Sequence, residues 1–409
     1  MGELKVTCDP AEVGFDADRL RRLDTHFASY VDDGRLPGWL TLVARRGEIA
    51  HLSAYGARDI ASGAPVQTDT LFRIYSMSKP ITSVAAMMLY EEGAFELTDP
   101  VSRFIPSFGD MRVYERGTAA EPVTRPAAEP MLMWHLLTHT TGLVYGFQHA
   151  GVVDEIYRDA GFYRGTPRGL DLAAAVDRLA ELPLLFEPGT QWNYSVATDV
   201  LGRVIEVISG LPFDRFLAER IFGPLGMTDT GFSVDAGDAD RMASLYIPDV
   251  NKRAVPLDTR GAEFRTPSFL SGGGGLISTA GDYHRFTQML LRGGELDGVR
   301  LLGPRTLAYM TRNHLPGGAD LEEFGRPVFA EVSYGGMGFG LGFSVVQDPA
   351  KTRTLCSAGE FSWGGAASTV FWVDPVEQVT CVFLTQLLPS NTHPIRSQLR
   401  QLVGQALVG

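Results

Sequence analysis

The segment Ser76-Met77-Ser78-Lys79 constrains this chain more than any other stretch. It opens an apolar run, Pro80-Ile81-Thr82-Ser83-Val84-Ala85-Ala86-Met87-Met88-Leu89-Tyr90, whose composition predicts a helix. A serine and a lysine three positions apart lie on one face of a helical turn. An amine at that distance can take the hydroxyl proton and turn a weak nucleophile into a useful one. Lysine is scarce here, at positions 5, 79, 252 and 351, while arginine carries most of the positive charge. A lysine entering an apolar helix therefore does more than confer solubility. S-x-x-K is a short pattern, and a serine-capped helix start explains the same residues, so the rest of the chain has to decide.

The bulk properties narrow the field. A chain of 409 residues holds one large domain or two lobes, and 44% hydrophobic with 21% charged residues describes an ordinary globular protein. A net charge of -12 without clustered Lys/Arg argues against nucleic acid and against an anionic membrane surface. No apolar run approaches a membrane span. The start, Met1-Gly2-Glu3-Leu4-Lys5-Val6-Thr7, reaches Asp9 and Glu12 without the apolar stretch of a signal peptide, and Val6 fails a myristoylation pattern. Cys8, Cys356 and Cys381 lack metal-like spacing. The expectation is a cytoplasmic protein with reduced thiols.

Periodicity outlines the architecture. Phe15 to Val31 reads as helix, and Trp39–Arg46 and Ile49–Tyr55 flank Gly47-Glu48 as a hairpin. Short helices follow at Trp134–Thr138, Leu172–Leu182 and Ala197–Ser209, and another runs from Ala280 to Arg292. Strand patterns return at Gly340–Val346, Ala367–Val373 and Val379–Thr385 before a final helix from His393 to Leu407. Strands at both ends with helices between them indicate a discontinuous α/β domain, residues 1–109 and 266–409. Residues 110–265 would form a mostly helical lobe, with the site in the cleft between the two.

Other segments carry possible chemistry. Pro188-Gly189 marks a turn, and Tyr194 then stands just ahead of the helix at Ala197. A phenol bonded to a lysine can shuttle a proton, although a packed aromatic explains the same residue. The run Gly359-Glu360-Phe361-Ser362-Trp363-Gly364-Gly365-Ala366 precedes a strand. Its glycines would let a substrate approach backbone N–H groups, or would simply form a bulge. His135 and His139 sit four apart, but no acidic residue completes a zinc motif. There is no G-x-S-x-G elbow and no Walker motif, and Ser271-Gly272-Gly273-Gly274-Gly275 follows no convincing strand for a dinucleotide site.

Taken together, Ser76/Lys79, His139-Thr140-Thr141-Gly142-Leu143, Tyr194 and a glycine-rich strand near the C-terminus resemble, in that order, the serine β-lactamase and penicillin-binding superfamily. The resemblance spans about Phe15 to Leu407 and implies a β-lactamase/DD-peptidase-like fold of α+β type, an antiparallel sheet flanked by helices. Class C β-lactamases carry Y-x-N and K-T-G where this chain has Tyr194-Ser195-Val196 and Trp363-Gly364-Gly365. The absent asparagine and lysine are the family's holds on the β-lactam amide and carboxylate. W-G-G in place of K-T-G is similar to family VIII carboxylesterases.

The resemblance implies a serine esterase acting on short-chain carboxylic esters, with Ser76 as nucleophile and Lys79 and Tyr194 sharing the proton work. The backbone N–H groups of Ser76 and Ala366 would bind the oxyanion. Trp363, with Gly364 and Gly365, would shape the pocket. No metal or cofactor is implied, and the partner is a small-molecule ester. The same three residues would serve a β-lactamase, a D-amino-acid peptidase, an amidase or an acyltransferase, and a non-catalytic binding protein of this fold is the remaining alternative. A lysine with an ordinary pKa acts as base at pH 7 at a cost of about 4–5 kcal/mol, unless burial lowers that pKa or Tyr194 ionises instead. Pocket size would be set by the loops Tyr145–Pro167 and Leu315–Tyr334.

Overall fold

A computed structural model of the chain describes residues 4–163, 169–257 and 267–409. The end of the Tyr145–Pro167 loop, the expected lobe boundary at 265–266 and the first three residues lie outside the described residues.

Eight antiparallel strands form the central sheet: β1 (Gly38–Arg45), β2 (Glu48–Asp59), β3 (Ala64–Pro65), β4 (Met337–Phe339), β5 (Ser344–Val346), β6 (Phe361–Gly364), β7 (Val370–Asp374) and β8 (Val379–Leu384). Their order is β4-β5-β6-β7-β8-β1-β2-β3, so strands from both ends of the sequence meet at the β8–β1 pair, with Leu42 opposite Val382. The predicted hairpin is the β1–β2 pair. Arg46 and Gly47 both take positive φ (54° and 88°), as a two-residue turn between right-twisted strands requires.

Strand alternation sends residues to two different cores. Trp39, Val43, Cys381, Phe383, Val370 and Trp372 face the layer of α1 (Ala17–Asp32) and the C-terminal helix, Ile395–Gly404, packing with Phe27 and Leu399. Leu40, Leu42, Phe371, Val373, Val382 and Leu384 face the larger core. With both faces covered, every residue of β1 is buried, and the strand reads as an almost unbroken apolar run.

The larger core is built around α2 (Ser78–Glu91), buried from Ser78 through Leu89. Its sequence is apolar on all sides because it has no solvent face. Packed in the same core are α3 (Met133–Thr138), α4 (Leu172–Ala180), α5 (Ala197–Ser209) and α6 (Ala280–Leu291). The C-terminal helix, Ile395–Gly404, is α7.

Several expectations change in detail. Gly340–Val346 is not one strand, because Gly340-Leu341-Gly342-Phe343 turns between β4 and β5, closed by Gly340 N–H donating to the Phe343 carbonyl at 2.7 Å. Gly342 takes φ 94°, and a Cβ there would lie 2.1 Å from Ser83 Oγ. Trp363 and Gly364 lie within β6 rather than ahead of a strand. The segment 110–265 also holds two small hairpins, Arg112–Gly117 with Pro122–Pro126 and Tyr246–Pro248 with Ala254–Pro256.

Candidate active site

Ser76 sits in a tight turn, Tyr75–Met77, that runs directly into α2. Tyr75 holds φ 45° without being glycine, a conformation costing on the order of 1–3 kcal/mol that recurs at functional turns. Tyr283 of α6 props the turn by donating its hydroxyl to the Met77 carbonyl at 2.9 Å. Ser78 is not interchangeable with Ser76: it donates to the Tyr75 carbonyl at 2.7 Å and accepts from Leu276 N–H at 3.1 Å. Ser78 therefore serves the backbone, leaving the Ser76 hydroxyl to the lysine and a phenol.

Lys79 Nζ lies 3.1 Å from Ser76 Oγ and donates to the Gly273 carbonyl at 2.7 Å. The amine is buried, and burial lowers its pKa from 10.5 to about 7, against the opposing pull of Asp199 and Glu331. Burial thus makes the neutral amine far more accessible near pH 7 than in an exposed lysine. The anchoring carbonyl belongs to the glycine loop at 271–275, which the buried Asp199 carboxylate holds by accepting from Ser271 Oγ at 2.6 Å and Gly273 N–H at 2.9 Å. Asp199 stands in the first turn of α5, five residues beyond Tyr194. Sequence reasoning missed Asp199 and set the glycine loop aside; only the tertiary fold brings them to Lys79.

Tyr194 reaches the same serine, with its hydroxyl 2.5 Å from Ser76 Oγ. The ring is enclosed by His139, Tyr145 and Trp363, with centroids 5.2–5.3 Å away, and stacks on Trp192. Burial among these rings pushes its pKa well above 10, with Glu331 adding to the rise and the Ser76 contact opposing it. The phenol is thus held protonated. Lys79 Nζ is 4.6 Å from the Tyr194 ring centroid, a cation–π distance.

The two histidines do not form a pair. His139 caps α3 in the left-handed region (φ 56°), its Nδ1 is 3.3 Å from Ser195 Oγ, and burial keeps its pKa well below 6.5. His135 Nδ1 accepts from Leu132 N–H at 3.0 Å. Among the described residues no group of three His, Cys, Asp or Glu is arranged to hold a metal ion.

Beyond β6 the chain turns over Gly365–Ser368, closed by Ser368 N–H donating to the Gly365 carbonyl at 3.1 Å. Ala366 occupies the second position, whose N–H a turn leaves free. Thr369 Oγ1 donates to the Ile74 carbonyl at 3.4 Å, and a Cβ on Gly365 would lie 2.3 Å from that carbonyl oxygen. The glycine therefore lets this turn abut the Ser76 turn. Trp363 is buried, edge-on to Tyr194 and to Phe339. It also lines an open cavity of about 1000 Å³ with Val328, Phe329, Glu331 and Arg396; that lining includes neither Ser76 nor Tyr194. Residues 327–334 of the expected Leu315–Tyr334 loop contribute to its wall.

A hydroxyl, an amine whose pKa burial has lowered and a protonated phenol meeting in one buried cluster is the equipment of acyl transfer. The sequence matches the β-lactamase family over residues 23–405. The chain belongs to the β-lactamase family. It is 41% identical over 88% of each chain to Protein Rv1367c of Mycobacterium tuberculosis. It is 33% identical to Esterase EstB of Burkholderia gladioli, over 97% of this chain and 98% of that one. The structure of EstCE1, a hydrolase with promiscuous acyltransferase activity, superposes with a TM-score of 0.78 at 28% identity, covering 96% of this chain and 98% of the other. The family assignment, with the fold and the likeness to family VIII carboxylesterases, bears out the resemblance first read from the motifs, and the chain is a serine hydrolase of that family. Among the described residues no helix is long and apolar enough to cross a membrane.

Proposed function

We propose that the chain hydrolyses carboxylic esters through an acyl-enzyme on Ser76, in the cleft between the helical segment 110–265 and the sheet domain. The observation that carries this reading is the position of Ser76 Oγ, 3.1 Å from a lysine amine and 2.5 Å from a phenol. Ser76 Oγ attacks the ester carbonyl carbon while its proton passes to neutral Lys79. The Ser76 and Ala366 N–H groups meet the developing oxyanion. The carbon–oxygen bond to the alcohol breaks, and the departing alkoxide takes a proton from the Lys79 ammonium through the Tyr194 hydroxyl. Water then attacks the acyl-enzyme and gives a proton to the same amine. The Ser76 ester bond breaks, the serine recovers a proton, and the carboxylic acid leaves.

Burial supports Lys79 over Tyr194 as the base, because it lowers the amine pKa to about 7 and raises that of the phenol. Trp363 supports an ester over a β-lactam or a D-amino-acid peptide, since a buried indole offers a substrate carboxylate no charge. Transfer of the acyl group to an alcohol instead of water is the second reading, favoured by the likeness to a hydrolase that also transfers acyl groups. The test is a side-by-side assay of wild type and Ser76→Ala with p-nitrophenyl butyrate, nitrocefin and a D-alanyl peptide, with and without an added alcohol. Serine-dependent turnover of the ester is expected to exceed the other two by orders of magnitude, and acyl transfer would appear as a new ester. Preferential turnover of nitrocefin would contradict the esterase reading.

A further inference from the structure

The turn that carries Ala366 is held from outside by the C-terminal helix. Arg396, in the first turn of α7, donates through Nη2 to the Gly365 carbonyl at 3.1 Å and the Thr369 carbonyl at 3.3 Å, the first residue of the turn and the one just past it. The same guanidinium bonds Glu331, through both its carboxylate and its backbone carbonyl. Glu331 is only 1% exposed, and Ser390 Oγ donates to its carboxylate at 2.9 Å. The fit is close: a Cβ on Gly364 would lie 2.3 Å from Arg396. One helical turn later, Arg400 holds the other end of β6 through Glu360 at 2.7 Å and Ser362 Oγ at 3.1 Å.

We propose that Glu331 and Arg396 are positioning residues that fix the Gly365–Ser368 turn and thereby aim the Ala366 N–H at the oxyanion. The inference rests on the acyl-enzyme reading above. The guanidinium fork suits the task, since one group reaches three carbonyls and a carboxylate at fixed angles, which an ammonium cannot do. Glu331 supplies the countercharge that lets the guanidinium stay buried. Because Glu331 belongs to the wall of the cavity beside Trp363, the pair also ties the loop lining that cavity to the Gly365–Ser368 turn.

The test compares Arg396→Met, Arg396→Lys, Glu331→Gln and Arg400→Met in the full chain, with kcat and KM on p-nitrophenyl butyrate and thermal melts for each. Losing an aimed oxyanion donor lowers kcat by about 10²-fold. Arg396→Met is expected to show that loss with KM within about threefold, Arg396→Lys to recover part of it, and Glu331→Gln to fall between. Arg400→Met breaks an equally buried ion pair away from the turn and is expected to lower the melting temperature while leaving kcat within about threefold. If Arg396→Met does not fold, Arg396→Lys decides, with a kcat loss of about tenfold expected in a folded protein. Wild-type kcat in folded Arg396 variants would overturn the proposal, as would a kcat loss in Arg400→Met equal to that of Arg396→Met. A wild-type enzyme whose ester turnover survives Ser76→Ala would instead mean that the acyl-enzyme reading has failed.

Discussion

Tyr194 and Ser76 stand 118 residues apart in sequence, yet their hydroxyls are 2.5 Å apart. The phenol touches the serine and is kept protonated, so it can hand a proton onward but is poorly placed to take one at neutral pH. Tyr194→Phe deletes the hydroxyl of that proposed relay and leaves the ring packing in place. It is expected to lower kcat for p-nitrophenyl butyrate by about 10²–10⁴-fold with little change in melting temperature, the usual worth of a positioned proton donor. Retained kcat would remove Tyr194 from the chemistry.

Lys79 predicts a pH profile. As the proposed base it would work only when neutral, so kcat/KM should rise through an ascending limb near pH 7, set by an amine whose pKa burial has lowered to about 7. The charged and titratable neighbours are Asp199, Glu331, Tyr145, Tyr194 and His139. Asp199→Asn removes a negative charge that favours the ammonium, so the limb should move to lower pH. A limb unmoved in that variant would mean that another group controls the profile.

The same burial predicts a stability trade. The folded-state pKa of Lys79 lies below its unfolded value of 10.5, so the unfolded chain holds more protons between about pH 7 and 10.5, and wild-type stability rises with pH across that window. At or below pH 7 the full shift corresponds to roughly 5 kcal/mol of destabilisation. Lys79→Met should therefore be inactive yet melt a few degrees higher than wild type at pH 6, the lost hydrogen bonds offsetting part of the gain. The advantage should shrink toward pH 10. Calorimetry at both pH values checks it, and a mutant less stable than wild type at pH 6 would contradict the account.

Ser78 separates structure from chemistry two residues away. Ser78→Ala leaves the Leu276 N–H without its acceptor in a buried position, which costs about 1–3 kcal/mol. Denaturant titration should show that loss, with kcat falling far less than in Ser76→Ala. A kcat loss equal to that of Ser76→Ala would mean that the S-x-x-K serine is not acting alone.

What the sequence made legible follows from how each feature is encoded. Ser76 and Lys79 share a helical turn, so their proximity is a local fact, and the apolar run behind them announced a buried helix. Tyr194 could be named only through the ordered motifs, because nothing local shows that residues 76 and 194 meet. Asp199, the Gly273 carbonyl and the Glu331–Arg396 pair were invisible, since each partnership links separate elements and leaves no period to read. The run Gly340–Val346 misled because its apolar residues hide a turn that only the packing of Gly342 against Ser83 explains. The central strands β1, β7 and β8 were easier, being buried on both faces and almost wholly apolar.

A covalent acyl-enzyme on Ser76 is tested by intact-protein and peptide mass spectrometry after brief reaction with a fluorophosphonate. One adduct per chain is expected, mapped to the Ser76 hydroxyl, slowed by orders of magnitude in Lys79→Met and absent in Ser76→Ala. An unmodified Ser76, or an adduct on another serine in an enzyme that still hydrolyses esters, would contradict it.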